Sequence, residues 1–432
     1  MSEMPIPDKT LAIHPGPLHG SLRAPSSKSI TNRLLAMTAL AEGESEVRHP
    51  LLCDDTYAMA AGLGALGVEV SLAAERATVA GSGGQLHPTG QVVDAALSGT
   101  TLRFLAALSL LADRPVVLDG APGLRRRPIG ALFEALERCG ARVESNSGLA
   151  PFTISSSGLE GGRIVVDAAK SSQFATALLL VAPYAKSDVE LVVKRLGAGG
   201  YVELTVALMG ELGARVERTG QTSFLVPSGS GYRSGSYEAG YDASAAAHLF
   251  AAAVASGGEL TVTNAGGTLQ PDAAVVDVLG SMGALVRRGE AGGVTVAAPP
   301  GGLRPVEADL APMPDQLPTL AVLAALAPGE SRFSGLSVSR GHESDRPRAV
   351  ADELTRLGGE VEIEGDLLVV RGGRPLAGGV VESYGDHRMA MAFSALGTAV
   401  EGLVIAGADC VTKTYPGWWE DLARLGARLE AL

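Results

Sequence analysis

Cysteine is scarce in this chain, with only Cys53, Cys139 and Cys410 in 432 residues. They lie far apart and in no metal-ligand spacing, which excludes a disulfide framework or a cysteine zinc site and leaves three thiols expected to be buried. Aromatic residues make up only 4% of the chain. No H-x-x-x-H or H-E-x-x-H spacing is present, no Gly-x-Ser-x-Gly elbow, and no Gly-x-x-x-x-Gly-Lys-Ser/Thr loop. Zinc hydrolysis, serine nucleophiles and nucleoside-triphosphate loops are therefore set aside, and no metal or cofactor is expected. Apolar runs such as 175–185 fall short of the ~18 residues that span a bilayer, and residues 1–10 carry acids instead of a basic, apolar signal pattern. A cytoplasmic protein with no membrane partner is expected. The net charge of -12 argues against a nucleic-acid surface, because such surfaces need an excess of Lys and Arg. Any basic site must be local.

What the chain does have is 46% hydrophobic residues, 56 glycines and a length that suits two α/β domains of ~200 residues each. A short pattern recurs six times. An apolar helical stretch ends in Leu, Cys or Met, then Gly, then a strand-like alternation: Leu66-Gly67, Cys139-Gly140, Leu212-Gly213, Met282-Gly283, Leu357-Gly358 and Leu425-Gly426. The glycines are 73, 73, 70, 75 and 68 residues apart. A Gly directly after the last apolar position of a helix is the expected C-terminal cap, since it takes a left-handed conformation without a Cβ clash. A second pattern keeps the same period. Small or polar residues open Ala/Leu-rich helical runs at Ser26-Ser27-Lys28-Ser29, Ser98-Gly99-Thr100-Thr101, Lys170-Ser171-Ser172-Gln173, Asp242-Ala243-Ser244, Pro314-Asp315-Gln316 and Gly385-Asp386-His387-Arg388. Six α/β units grouped three and three are predicted.

Residues that cap helix starts also mark where anions bind, because the first turn offers unpaired N–H donors and a partial positive charge. Lys28 and Arg33 follow the first start, Arg103 the second and Arg388 the sixth. Repeated at one structural position in a net-acidic chain, these cations point to polyanionic small-molecule ligands. Two further charged segments, Arg125-Arg126-Arg127-Pro128 and His342-Glu343-Ser344-Asp345-Arg346, flank predicted helices.

Together these segments resemble the 5-enolpyruvylshikimate-3-phosphate synthase family over essentially the whole chain. The resemblance is carried by Pro25-Ser-Ser-Lys-Ser-Ile-Thr-Asn-Arg33, Ser98-Gly-Thr-Thr-Leu-Arg103, Arg127-Pro-Ile-Gly130, Ser171-Ser-Gln-Phe174, Pro314-Asp315, Glu343-Ser-Asp-Arg346, Asp386-His-Arg-Met389 and Val411-Thr-Lys-Thr414. It implies an α/β, two-domain enolpyruvyl transferase fold of six βαβαββ repeats, three per domain, each domain an inside-out α/β barrel. Residues 24–239 would form an inserted domain, and 1–23 with 240–432 the other, with the active site in the cleft between them. It implies transfer of the enolpyruvyl group of phosphoenolpyruvate to the 5-hydroxyl of shikimate 3-phosphate by a monomeric enzyme. Phosphoenolpyruvate would be held by Lys28, Gly99, Arg127, Gln173, Arg346, Arg388 and Lys413. The acceptor would be held by Ser29, Arg33, Ser171, Ser172, Gln173, Asp315 and His342, with Thr100, Arg103, Asp386 and His387 in support. Asp315 would be the base toward the hydroxyl and Glu343 the proton donor, with Lys28 and Lys413 stabilising the departing phosphate. Gly99 with Thr100 resembles the glyphosate-sensitive form of the family.

The chain departs from the common family pattern on the acceptor side. Leu97 sits where Asn often precedes the Gly-Thr motif, Ala198 replaces a Ser, Val338 a polar residue and His342 an often-seen Lys. A paralogous transferase with another cyclic acceptor is the alternative these changes raise. A UDP-N-acetylglucosamine enolpyruvyl transferase would carry a loop cysteine, absent from 120–128. A non-catalytic anion sensor would need the cations but not both Asp315 and Glu343.

Overall fold

A computed structural model describes residues 10–290 and 292–432. The segment 1–9, read above as carrying no signal pattern, lies outside the described residues. The chain divides into two compact units, 26–240 and 1–25 with 241–432.

All six Leu-Gly-type glycines take φ between 88 and 110°, each immediately after a helix C-cap residue: Leu66, Cys139, Leu212, Met282, Leu357 and Leu425. In five of them the next residue donates its N–H back to a carbonyl five residues earlier, as in Val68 to Leu63 at 3.0 Å and Ala214 to Met209 at 2.9 Å. This closes the last turn and turns the chain into a strand. The strands follow as expected, for example Ala141–Ser145 and Glu360–Glu364.

Six four-stranded sheets result among the described residues, all with one strand order. The second repeat shows it in continuous chain. Strand Val93–Asp94 passes through helix Gly99–Leu108 to the parallel strand Val116–Asp119. Helix Gly130–Arg138 then leads to Ala141–Ser145, which pairs with Phe152–Ser156, and that strand pairs antiparallel with Val116–Asp119. Three sheets borrow a strand from a distant part of the chain. Ser236–Glu238 completes the sheet of Glu42–Arg48. Thr10–His14 lies between Leu403–Ala406 and Arg428–Ala431, and His19–Leu22 pairs with Glu259–Val262.

Inside each unit the polar-start helices pack on one another. In the unit 26–240 these are Lys28–Leu40, Gly99–Leu108 and Gln173–Val181; in the other, Ala243–Ala255, Leu317–Leu326 and His387–Gly397. They are apolar around nearly their whole circumference, and residues of all six lie in one of two hydrophobic cores, one per unit, as expected for helices enclosed by sheets. Of the three thiols, Cys53 and Cys139 are buried, but Cys410 is only half-buried, contrary to expectation, on the short helical turn Ala408–Lys413. Burial pushes them up to about 11, 12 and 12 respectively, so none is a thiolate near neutral pH.

Candidate active site

The helix starts are built as the sequence suggests at four of six positions. Ser27, Ser98, Asp242 and Asp386 accept hydrogen bonds from the N–H groups of Ile30, Thr101, Ala245 and Arg388. The other two differ. Ser172 caps nothing with its side chain, and Pro314 opens a 3-10 turn, Pro314–Gln316, ahead of Leu317–Leu326. Asp315 is thereby released from capping and its carboxylate goes elsewhere.

It goes to arginine. In the unit that contains it, Asp315 Oδ1 accepts from Arg346 Nη1 at 2.5 Å and Oδ2 from Arg388 Nη2 at 2.9 Å. Arg346 is 1% exposed and is held by three carboxylates. Its Nε and Nη2 donate to Asp386 at 2.8 and 3.2 Å, and Nη2 also reaches Glu343 at 2.9 Å. Glu343 lies 3.7 Å from Lys413 Nζ. His342 Nδ1 lies 2.8 Å from Arg346 Nη1 and 3.4 Å from Asp315 Oδ1. Asp386 thus does two jobs: it caps the His387–Gly397 helix and clamps Arg346, with Ser344 Oγ adding a fourth donor at 3.0 Å. Burial opposes ionisation of Asp315, yet the guanidiniums of Arg388 and Arg346 outweigh it and hold the carboxyl well below the usual range. Burial likewise disfavours the Arg346 charge, but Asp386, Asp315 and Glu343 overcome it and keep the guanidinium firmly protonated. His387 is buried, with Nδ1 3.7 Å from Asp386 Oδ1.

The unit 26–240 collects cations differently. Lys28, in the first turn of its helix, places Nζ 3.0 Å from the buried Asp55. Arg103 Nη1 donates to Gln173 Oε1 at 2.5 Å, and Gln173 Nε2 donates to Thr100 Oγ1 at 3.1 Å. A methyl group on Gly99 would stand 2.9 Å from Arg103 Nη1 and 3.1 Å from Arg127 Nη1. The first turn of the Gly99–Leu108 helix therefore meets two guanidiniums, and the missing side chain is what lets them approach. Of the three consecutive arginines, Arg125 is bound instead to Asp119 at 2.8 and 2.6 Å. Ser171 and Ser172 are both buried, and Ser171 Oγ accepts the Gln173 N–H at 3.3 Å. Arg33 is 3% exposed. It donates to Thr205 Oγ1 and to the carbonyls of Ser29 and Tyr201, and stacks 5.5 Å from the Phe104 ring and 5.8 Å from that of Tyr201. Burial pulls its pKa down to about 10.

What such an arrangement can do is bind small polyanions and move protons. Guanidinium forks suit carboxylate and phosphate oxygens, and two carboxylates beside them can exchange protons.

A family model for EPSP synthase (3-phosphoshikimate 1-carboxyvinyltransferase) matches residues 13–422. The chain belongs to the EPSP synthase family. A 3-phosphoshikimate 1-carboxyvinyltransferase from Methanoculleus marisnigri is 40% identical over 412 residues, covering 94% of this chain and 97% of that protein. One from Aeropyrum pernix is 41% identical over 427 residues, covering 99% and 97%. The fold matches a solved EPSP synthase from Acinetobacter baumannii with a TM-score of 0.81 at 23% identity, over 98% of this chain and all of that one. The two-domain α/β fold expected of an EPSP synthase family member is thus the one found.

Sequence reading missed three partners in this family member. Asp55, which holds Lys28, was hidden in the acidic start of the helix Asp54–Ala65. Thr205, which holds Arg33, sits 172 residues away on the helix Gly200–Glu211. Ser344 was read only as part of a charged run. The one available signal was Asp54-Asp55, a pair of carboxylates at the start of a helix.

Proposed function

We propose that this EPSP synthase family member transfers the enolpyruvyl group of phosphoenolpyruvate to the 5-hydroxyl of shikimate 3-phosphate and releases phosphate. The observation that carries the reading is the cluster of Asp315 and Glu343 against Arg346, Arg388 and Lys413. It combines cations for the substrate anions with two carboxylates for proton transfer, which an anion sensor would not need. Lys28, Gly99, Arg127, Gln173, Arg346, Arg388 and Lys413 bind phosphoenolpyruvate, and Arg103 with Thr100 orients Gln173. Ser29, Arg33, Ser171, Ser172, Gln173, Asp315 and His342 hold the acceptor.

The chemistry divides into two stages. Glu343 delivers a proton to the methylene carbon while Asp315 takes the proton of the attacking hydroxyl, so that a new C–O bond forms at the adjacent carbon. The C–O bond to phosphate then breaks, Lys28 and Lys413 take up the charge of the leaving group, the phosphate carries off the proton held by Asp315, and the methyl carbon returns its proton to Glu343 to restore the double bond. Atoms balance with no redox partner. The enzyme works as a cytoplasmic monomer on small molecules. Among the described residues no helix is long and apolar enough to cross a membrane.

Phosphate release from phosphoenolpyruvate in the presence of shikimate 3-phosphate tests the reading, with the enolpyruvyl ether identified by mass. Phosphate release with other cyclic alcohols and none with shikimate 3-phosphate would move the assignment to a paralogous acceptor, for which the exposed Leu97 and the apolar Ala198 and Val338 speak. Glyphosate should inhibit competitively with phosphoenolpyruvate, and full activity at millimolar glyphosate would refute that part.

A further inference from the structure

Arginine has five N–H donors and no acceptor. Because Arg346 Nη1 stands 2.8 Å from His342 Nδ1, that ring nitrogen must receive the hydrogen bond and carry no proton. The neutral ring therefore holds its proton on Nε2. The same Nδ1 is 3.4 Å from Asp315 Oδ1, an ionised acceptor. One nitrogen thus faces a donor that it accepts from and an acceptor that it can donate to, and its own protonation decides which contact is made.

The groups around it come from every neighbouring element. Asp315 stands on the turn Pro314–Gln316, Glu343 on the same loop as His342, and Arg346 at the start of the helix Arg346–Arg356. Arg388 on the helix His387–Gly397 holds the other oxygen of Asp315, and that helix's cap, Asp386, clamps Arg346. Lys413 neutralises Glu343 from the turn Ala408–Lys413. Arg346, Arg388 and Lys413 thus stand against the carboxyl groups of Asp315, Glu343 and Asp386 around the ring.

We propose that His342 is a positioning residue whose protonation exchanges the bond from Arg346 for a bond to Asp315, switching that carboxylate off as a base. A proton from solvent adds to Nδ1. The cationic ring is repelled by Arg346 and attracted to Asp315 Oδ1, which then answers to three cations in place of two and no longer draws the proton from the acceptor hydroxyl. The catalytic consequence rests on the transferase reading given above; the proton-dependent exchange itself does not.

Two measurements test it on the full chain. Imidazole nitrogen NMR of the 15N-labelled protein, with His342 assigned by its loss in His342→Asn, reads the tautomer directly. The expected result is an unprotonated Nδ1 in the neutral ring. The second is the pH profile of kcat/KM for phosphoenolpyruvate in the parent and in His342→Asn. The asparagine oxygen replaces Nδ1 as acceptor and does not titrate, so the variant profile, scaled to its own plateau, should lack the acid limb whose midpoint in the parent matches the ring's NMR titration. In His342→Ala, which has no acceptor for Arg346, the KM for phosphoenolpyruvate should rise about tenfold. A proton on Nδ1 in the neutral ring, or an acid limb unmoved in His342→Asn, would overturn the proposal. Absence of phosphate release from the parent would instead overturn the transferase reading, and the NMR tautomer would still decide the geometry around His342.

Discussion

The two units gather cations in opposite ways. In the unit holding Arg346, every key cation is matched to carboxylate, and one guanidinium is shared by Asp386, Asp315 and Glu343. Among the candidate site cations of the unit 26–240, Arg103 donates to Gln173 and Arg33 to carbonyls and a hydroxyl, while Lys28 stands on the carboxylate of Asp55. Carboxylates placed against cations are poised to trade protons. Helix starts, amides and hydroxyls can only hold. The first arrangement is suited to chemistry and the second to binding, and a single substitution should have a different signature in each.

The largest effect should come from the carboxylates themselves. Asp315→Asn and Glu343→Gln should each lower kcat by ~10²–10⁴ in steady-state phosphate release, with far smaller changes in KM. A loss confined to KM would place these groups with the binding unit. Next is Arg346→Ala, which leaves three carboxylates facing one fewer cation in a site with almost no solvent. Urea unfolding should show a loss of about 3–5 kcal/mol, the usual cost of stranding buried charge. An unchanged urea midpoint would mean that Arg346 is held less tightly than its bonds suggest.

Acid should expose the same asymmetry more gently. The folded pKa of Asp315 is depressed, so its ionised form contributes stability that is fully present above the ordinary aspartate value of ~3.9 and is lost as pH falls through the lower folded value. The stability advantage of the parent over Asp315→Asn should be flat above about pH 5 and shrink below about pH 4. An advantage that stays constant into strong acid would contradict the depressed value. The smallest effect belongs to the binding unit. Gly99→Ala obliges Arg103 and Arg127 to give way by a few tenths of an ångström, which should raise the KM for phosphoenolpyruvate roughly tenfold and leave kcat and the unfolding midpoint nearly unchanged. A fall in kcat instead would show that this turn takes part in the reaction beyond holding a ligand.

Local signals were legible and distant pairings were not. The six glycines were readable because a left-handed residue after a helix has few alternatives, and all six adopt it. Ser27, Ser98, Asp242 and Asp386 were readable as caps for the same reason. Asp315 was misread as a helix opener because Pro314 starts a 3-10 turn that leaves no capping geometry for its neighbour. The borrowed strands left no trace in composition. Ser236–Glu238 is three residues long and joins a parallel partner nearly 200 positions earlier, so nothing within the strand records where its hydrogen bonds go. The family resemblance names the members of the Arg346 network, but their pairing is illegible for a similar reason: they come from three separate motifs, and spacing along the chain does not tell which of two adjacent charges turns inward.

The two places where the chain passes between its units have a structural peculiarity of their own. Ser27 N–H bonds to the Gly240 carbonyl at 2.9 Å, and Asp242 N–H bonds to the Pro25 carbonyl at 2.8 Å, so the inserted segment leaves and re-enters at almost one point. In genetic terms, 26–240 is a cassette. Its ends meet, its core is its own, and none of the side chains that bind Arg346 is encoded within it. The two junctions, at 25–26 and 240–241, lie far apart in the gene and side by side in the fold.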